Sequence, residues 1–333
     1  MTSARSAHIT VCALALAQTG IASASTPDAY RQSRDDAWWT GPILAAGANT
    51  LPPGHMLVEP YVFDVTNRGR FDADGNRHSG ATRHSFGSLT YVNYGLIENF
   101  TVGVIPRFGY NDLDNGPDSS GIGLGDFMVQ GTIRLTQYRE GSRMPTLSIV
   151  VSETLPTGKY DRLGARPSDG LGSGAWTTTL ALYSQYFLWM PNGRILRTRL
   201  NLSYSLPDDV TVNDASVYGT GEGFRGHAKP GRAFVVNSAW EYSVTRNWVL
   251  ALDVVYENDT STTVSGFNSP LAGAQIPVRV DRNFGSSDVF TLAPAVEYNF
   301  NSRIGVIAGA ILTPAGRNAS ANVIPVVALN MVF

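Results

Sequence analysis

From Leu196 to Leu206 the chain places apolar side chains at even positions, apart from Thr198, and polar ones at every odd position. A period of two sends the two sets to opposite faces of an extended backbone, so the run predicts a strand with one greasy and one wet face. Phe234, Val236, Trp240 and Tyr242 alternate with Asn237 and Glu241, and Trp248, Leu250, Leu252, Val254 and Tyr256 alternate with Asp253 and Glu257. Twelve such runs are predicted, at 56–65, 85–96, 100–110, 123–136, 144–155, 174–187, 194–206, 232–244, 248–258, 287–300, 304–313 and 320–333. Their connections alternate: 97–99, 245–247 and 301–303 are tight turns, 137–143 and 188–193 are slightly longer, and 66–84, 111–122, 156–173, 207–231 and 259–286 read as long polar loops, with a shorter one near 314–319.

Composition changes the picture by removing water from one face. Only 16% of the 333 residues are charged and 43% are apolar, against about 25% charged in an ordinary soluble domain. No stretch outside the N-terminus approaches the roughly 18 uninterrupted apolar residues of a membrane helix. A soluble sandwich alternates too, but here aromatics gather at strand ends, among them Tyr110, Tyr186, Trp189, Trp248, Tyr298 and Phe300. The strand count is even, and the last run carries Val323, Pro325, Val327, Leu329, Met331 and Phe333 on one face. The fold expected is all-β: a closed antiparallel transmembrane β-barrel of about 12 strands, with short periplasmic turns and long extracellular loops, in the bacterial cell outer membrane. Closure satisfies every backbone donor and acceptor in lipid. The terminal Phe333 resembles the insertion signal of such barrels, which implies the outer-membrane assembly machinery as a partner beside the bilayer itself.

The first 24 residues read as a secretory signal: Arg5 and His8, an apolar run around 9–17, then Ala22-Ser23-Ala24 before the cut. Residues 25–54 do not alternate and hold Trp38, Trp39 and Leu51-Pro52-Pro53-Gly54. They are expected to form a periplasmic or lumen-associated segment ahead of a barrel at 55–333. Cys12, the one cysteine, lies inside the signal, so no disulfide is expected, and a net charge of −2 offers nothing to nucleic acid.

Several stretches then resemble a known outer-membrane family, that of the MetA pathway of phenol degradation: Thr40-Gly41-Pro42, Ala48 to His55, Val58-Glu59-Pro60-Tyr61, Gly123-Leu124-Gly125-Asp126, and Leu155-Pro156-Thr157-Gly158-Lys159-Tyr160-Asp161. The resemblance spans 40–333. It implies a transporter-like barrel that passes small, often aromatic or hydrophobic, compounds.

With the apolar parity of each strand taken as outward, the lumen-lining candidates are Glu59, Arg107, Asp126, Arg134, Arg197, Arg199, Glu241, Asp253, Glu257 and Glu297, together with Gln130, Asn201, Asn237 and Asn330. Mixed charge fits either packed salt bridges or a wet path. Glu153 falls on the apolar parity of its strand, at the headgroups or at a bulge. Other motifs favour plain readings. The glycines from Gly121 to Gly125 precede a strand and suit a turn better than a nucleotide. Asp112, Asp114, Asn115 and Asp118 lack the spacing of a calcium loop. The histidines show no metal spacing, and His84, Ser85 and Ser88 lack an orienting partner for hydrolysis. No catalytic residue, metal or cofactor is expected. The reading is an outer-membrane pore or facilitator for small, possibly aromatic or hydrophobic, organic solutes; the alternative is a non-conducting structural or surface-binding barrel whose extracellular loops carry the function.

Overall fold

The computed structural model describes residues 31–113, 116–269 and 277–333. The expected signal at 1–24 with its cut and Cys12, and Asp114 and Asn115 of the acidic loop, lie outside these. In chain order the strands are β1 (Met56–Phe71), β2 (Arg77–Ile97), β3 (Phe100–Ile105), β4 (Arg107–Leu113), β5 (Gly123–Leu124), β6 (Phe127–Thr136), β7 (Thr146–Leu155), β8 (Thr177–Trp189), β9 (Ile195–Pro207), β10 (Val210–Asn213), β11 (Arg225–Lys229), β12 (Ala233–Ser243), β13 (Trp248–Asp259), β14 (Thr263–Asn268), β15 (Val278–Asn283), β16 (Ser287–Asn299), β17 (Ile304–Arg317) and β18 (Ala319–Val332). β3 and β4 are one stave broken at Pro106, whose ring has no N–H to donate, and β5 and β6 are one stave broken at Gly125-Asp126. Counted so, twelve antiparallel staves pair with their neighbours in sequence, and β1 pairs with both β2 and β18 to close the barrel.

The apolar parity faces outward as the pattern required: Val62 is 47% exposed and Leu250 51% exposed, whereas Tyr61 and Ala251, one residue away, are buried. Aromatics band both ends of this face. At the short-turn end Trp248, Tyr298 and Phe300 stack with centroids 4.7 and 5.0 Å apart, and at the other end Phe86, Phe108, Trp176 and Phe290 are exposed. Such belts sit where hydrocarbon meets headgroups. Glu153 also faces outward, on the parity of exposed Val151, and its carboxylate accepts from Thr178 Oγ1 at 2.7 Å without any bulge.

Three expected loops are partly strand. Residues 66–84 continue β1 and β2 as a hairpin that turns at Asp72–Asn76. Within 207–231 and 259–286, β10, β11, β14 and β15 form a separate four-stranded sheet over its own core of Val210, Val212, Phe224 and Val264.

Candidate functional site

The lumen has two storeys. The half nearer the short turns is filled by residues 31–55, and the strands that meet them carry the side chains to hold an irregular backbone. Gln32 takes the N–H of Ile195 on its Oε1 and donates through Nε2 to Ser243 Oγ. Glu297 accepts the N–H of Thr40 at 2.7 Å, and Asp253 accepts those of Leu44 and Ala45 at 3.2 and 2.8 Å. In return Arg199 donates to the carbonyl of Ala45, Asn201 to that of Ala46 and Ser148 to that of Ala48. A non-helical segment away from water needs this matching, donor for acceptor.

Packing follows the same logic. Where a lumen wall would carry polar side chains, β13, β16 and β18 present Ala251, Ala293, Ala295 and Ala328, and Ile43 fills the space among them against Ile307 of β17. A Cβ on Gly309 would come within 2.7 Å of Ile43 Cδ1. Arg197 and Arg199 both approach Glu241: Arg197 donates through Nε at 2.7 Å and through its terminal nitrogen, and Arg199 Nε lies 3.1 Å from the same oxygen without the alignment of a hydrogen bond. The Arg197 guanidinium also covers Trp39 at 4.5 Å. Of the sequence candidates, then, Arg197, Arg199, Glu241, Asp253 and Glu297 surround this inner segment.

The upper storey contains a cavity of about 430 Å³. Phe63, Leu89 and Leu171 line it together with Arg107, Asn111 and Asp126. Its wall is stripped of side chains: Gly87 stands opposite Gly109, and Gly109 opposite Gly123, in one row across three staves. Into that row reaches Leu171 from the connection between β7 and β8; a Cβ on Gly123 would lie 2.6 Å from Leu171 Cδ1. The connection is held by Asp126, which accepts from Gly158 N at 3.0 Å, Ser173 N at 2.7 Å and Ser173 Oγ at 2.8 Å. Thr157 Oγ1 accepts the N–H of Phe127 and donates to the carbonyl of Gly125, so it stitches the break between β5 and β6. The two family motifs, at 123–126 and 155–161, therefore meet at one place: the interrupted wall. β5 contributes only two ladder pairs to β4 there, and the outer side of the row bears exposed Phe86, Phe108 and Leu124.

The remaining candidates lie elsewhere. Glu59 accepts from Asn330 Nδ2 at 3.2 Å, in the layer below the cavity where Tyr61 and Tyr91 meet edge to face. Arg134 lies 3.5 Å from Glu98 near the short turns, and Glu257 sits on β13 opposite Val289, toward the outer end. Phe333 is exposed and exchanges two backbone hydrogen bonds with Met56. Sequence reasoning missed Leu171, Thr157 and the glycine row; paired inward glycines on neighbouring runs were the available signal.

Among solved structures, an outer membrane channel from Pseudomonas putida F1 shares the fold with a TM-score of 0.64 at 16% identity, over 86% of this chain and 98% of that one. The translocator domain of the autotransporter NalP from Neisseria meningitidis gives 0.42 at 13% identity over 84% and 89%. The toluene transporter TodX of Pseudomonas putida gives 0.40 at 12% over 89% and 95%. No curated protein sequence matches the chain. A family model matches residues 52–322, most of the barrel, and the chain belongs to the family described as "Putative MetA-pathway of phenol degradation".

Proposed function

We propose that the protein is an outer-membrane channel through which small aromatic or hydrophobic organic compounds pass without an energy source. The observation that carries the reading is the cavity, in which Phe63, Val65, Leu89 and Leu171 face the polar Ser85, Ser88, Arg107, Asn111 and Asp126, beside a wall of glycine. Its volume lies within the ~300–1,000 Å³ of small-molecule sites. The family's description, which names phenol degradation, and that of the Pseudomonas putida F1 structure, an outer membrane channel, point the same way.

The geometry also favours a route. Below the cavity the inner segment is bonded to the wall at Glu297, Asp253 and Arg199, by hydrogen bonds to charged groups worth roughly 1.5–3 kcal/mol each, and at Asn201 and Ser148 by neutral ones, and it buries Ile43, so displacing it is costly. The seam between β4 and β5 beside the cavity is held by two ladder pairs, the Gly125 N–H on the Arg107 carbonyl, the Thr157 hydroxyl and the side chain of Leu171. An apolar solute leaves more cheaply through that wall, past Phe108 and Leu124, into the bilayer. Uptake of a labelled monocyclic aromatic by cells with an intact lipopolysaccharide leaflet tests the function: the reading expects faster initial uptake with the protein than without it, and equal rates would refute it.

A further inference from the structure

Arg107 is the cavity group that the inner segment and the wall leave without a use. It lies on the inner face, opposite Leu89, whose other neighbour in the row is Tyr61. Its Nε is shielded from water and meets no acceptor. None of the ion pairs among the described residues includes it, and the carboxylate nearest to hand in the cavity, Asp126, is already engaged by Gly158 and Ser173. A guanidinium that no carboxylate bonds, set among Phe63, Leu89 and Leu171, differs from Arg197 and Arg199, which share the Glu241 carboxylate. Its planar fork matches a carboxylate in two parallel bonds, and the surrounding apolar groups match a ring.

We infer that the cavity takes a single-ring aromatic carboxylate, with Arg107 receiving the carboxylate and Phe63, Leu89 and Leu171 the ring. The inference rests on the channel reading and narrows its substrate from aromatic compounds in general to aromatic acids. Arg107 also explains how an anion tolerates an apolar site: it meets there a cation that enters no ion pair among the described residues.

The test is equilibrium binding to the purified full chain in detergent, with benzoate, toluene and acetate as probes, on the wild type and on Arg107→Gln and Arg107→Lys. Folding of each variant is confirmed by the mobility shift on boiling. Benzoate is expected to bind at least about tenfold more tightly than either toluene or acetate. Arg107→Gln should remove that preference, and Arg107→Lys should restore part of it. Equal affinities for benzoate and toluene in the wild type, or a preference that survives Arg107→Gln, would overturn the inference; if toluene uptake by cells is then still accelerated, the channel reading stands. A wild type that binds no probe and speeds no uptake would overturn both.

Discussion

Asp126 spends its whole carboxylate on one connection, accepting from Gly158 and twice from Ser173. Asp126→Ala is expected to release residues 156–173 while the barrel stays closed, because no ladder pair depends on it. Trypsin added to intact cells should then cut at Lys159, Arg162 or Arg166, all exposed positions that the clamped connection protects through its fixed backbone. Glu241 is of the opposite kind: fully buried, it neutralises Arg197 and Arg199. Glu241→Leu leaves two cations facing each other, a loss of about 3–5 kcal/mol for a broken buried pair, and replacing all three by apolar residues should recover most of it. The readout is the temperature at which the unboiled gel band disappears. At the hairpin tip, Asp72 is held down to about 2, first by the His78 ring and then by the N–H of Asn76. That lies below the ~3.9 of an unfolded aspartate, so the tip gains from this charge above about pH 4 and loses it as pH falls through about 2. Protection of the Asp74 and Asn76 amides, whose N–H groups Asp72 accepts, measured relative to their intrinsic exchange rate at each pH, should fall as pH drops through that window.

At the scale of elements, the strands that cross lipid were legible because lipid imposes the alternation: Leu200 and Leu202 face out, Arg197 and Arg199 face in. Where both faces are wet the constraint lapses. Residues 66–71, Thr-Asn-Arg-Gly-Arg-Phe, carry no period of two, yet they complete β1 and pair with β2, and β11 and β14 hide likewise behind Gly226 and Gly266. The inner segment left a different trace. Its own sequence has no period, but its outline is printed on the wall as Ala251, Ala293, Ala295 and Gly309 at inward positions that a water-filled lumen would make polar. For the site, the facing of Arg107 and Asp126 could be read from parity; what each faces could not, because Leu171 arrives from a connection remote in sequence. Gly309→Val tests the fit: with Ile43 Cδ1 and the Pro294 carbonyl in its way, it should push the segment from the wall and raise single-channel conductance, whereas a segment that merely leans on the wall would leave conductance unchanged.

For the whole molecule, a closed ladder predicts retention of fold in detergent at room temperature and a mobility shift on boiling. The terminal Phe333 is proposed as the insertion signal; Phe333→Ser should lower the amount in the outer membrane while export continues, since in the fold itself the side chain is exposed. On the proposed route, aromatic solutes pass through this barrel by way of the cavity and its wall, with the inner segment in place. The route is tested most directly by locking that segment. A Cβ on Gly305 would lie 2.1 Å from Thr40 Oγ1, so the side chains of Thr40→Cys and Gly305→Cys meet with a small shift, and uptake of labelled toluene is measured in cells with the disulfide closed and then reduced. The account predicts the same accelerated uptake in both states; uptake that stops when the lock closes and returns on reduction would contradict it.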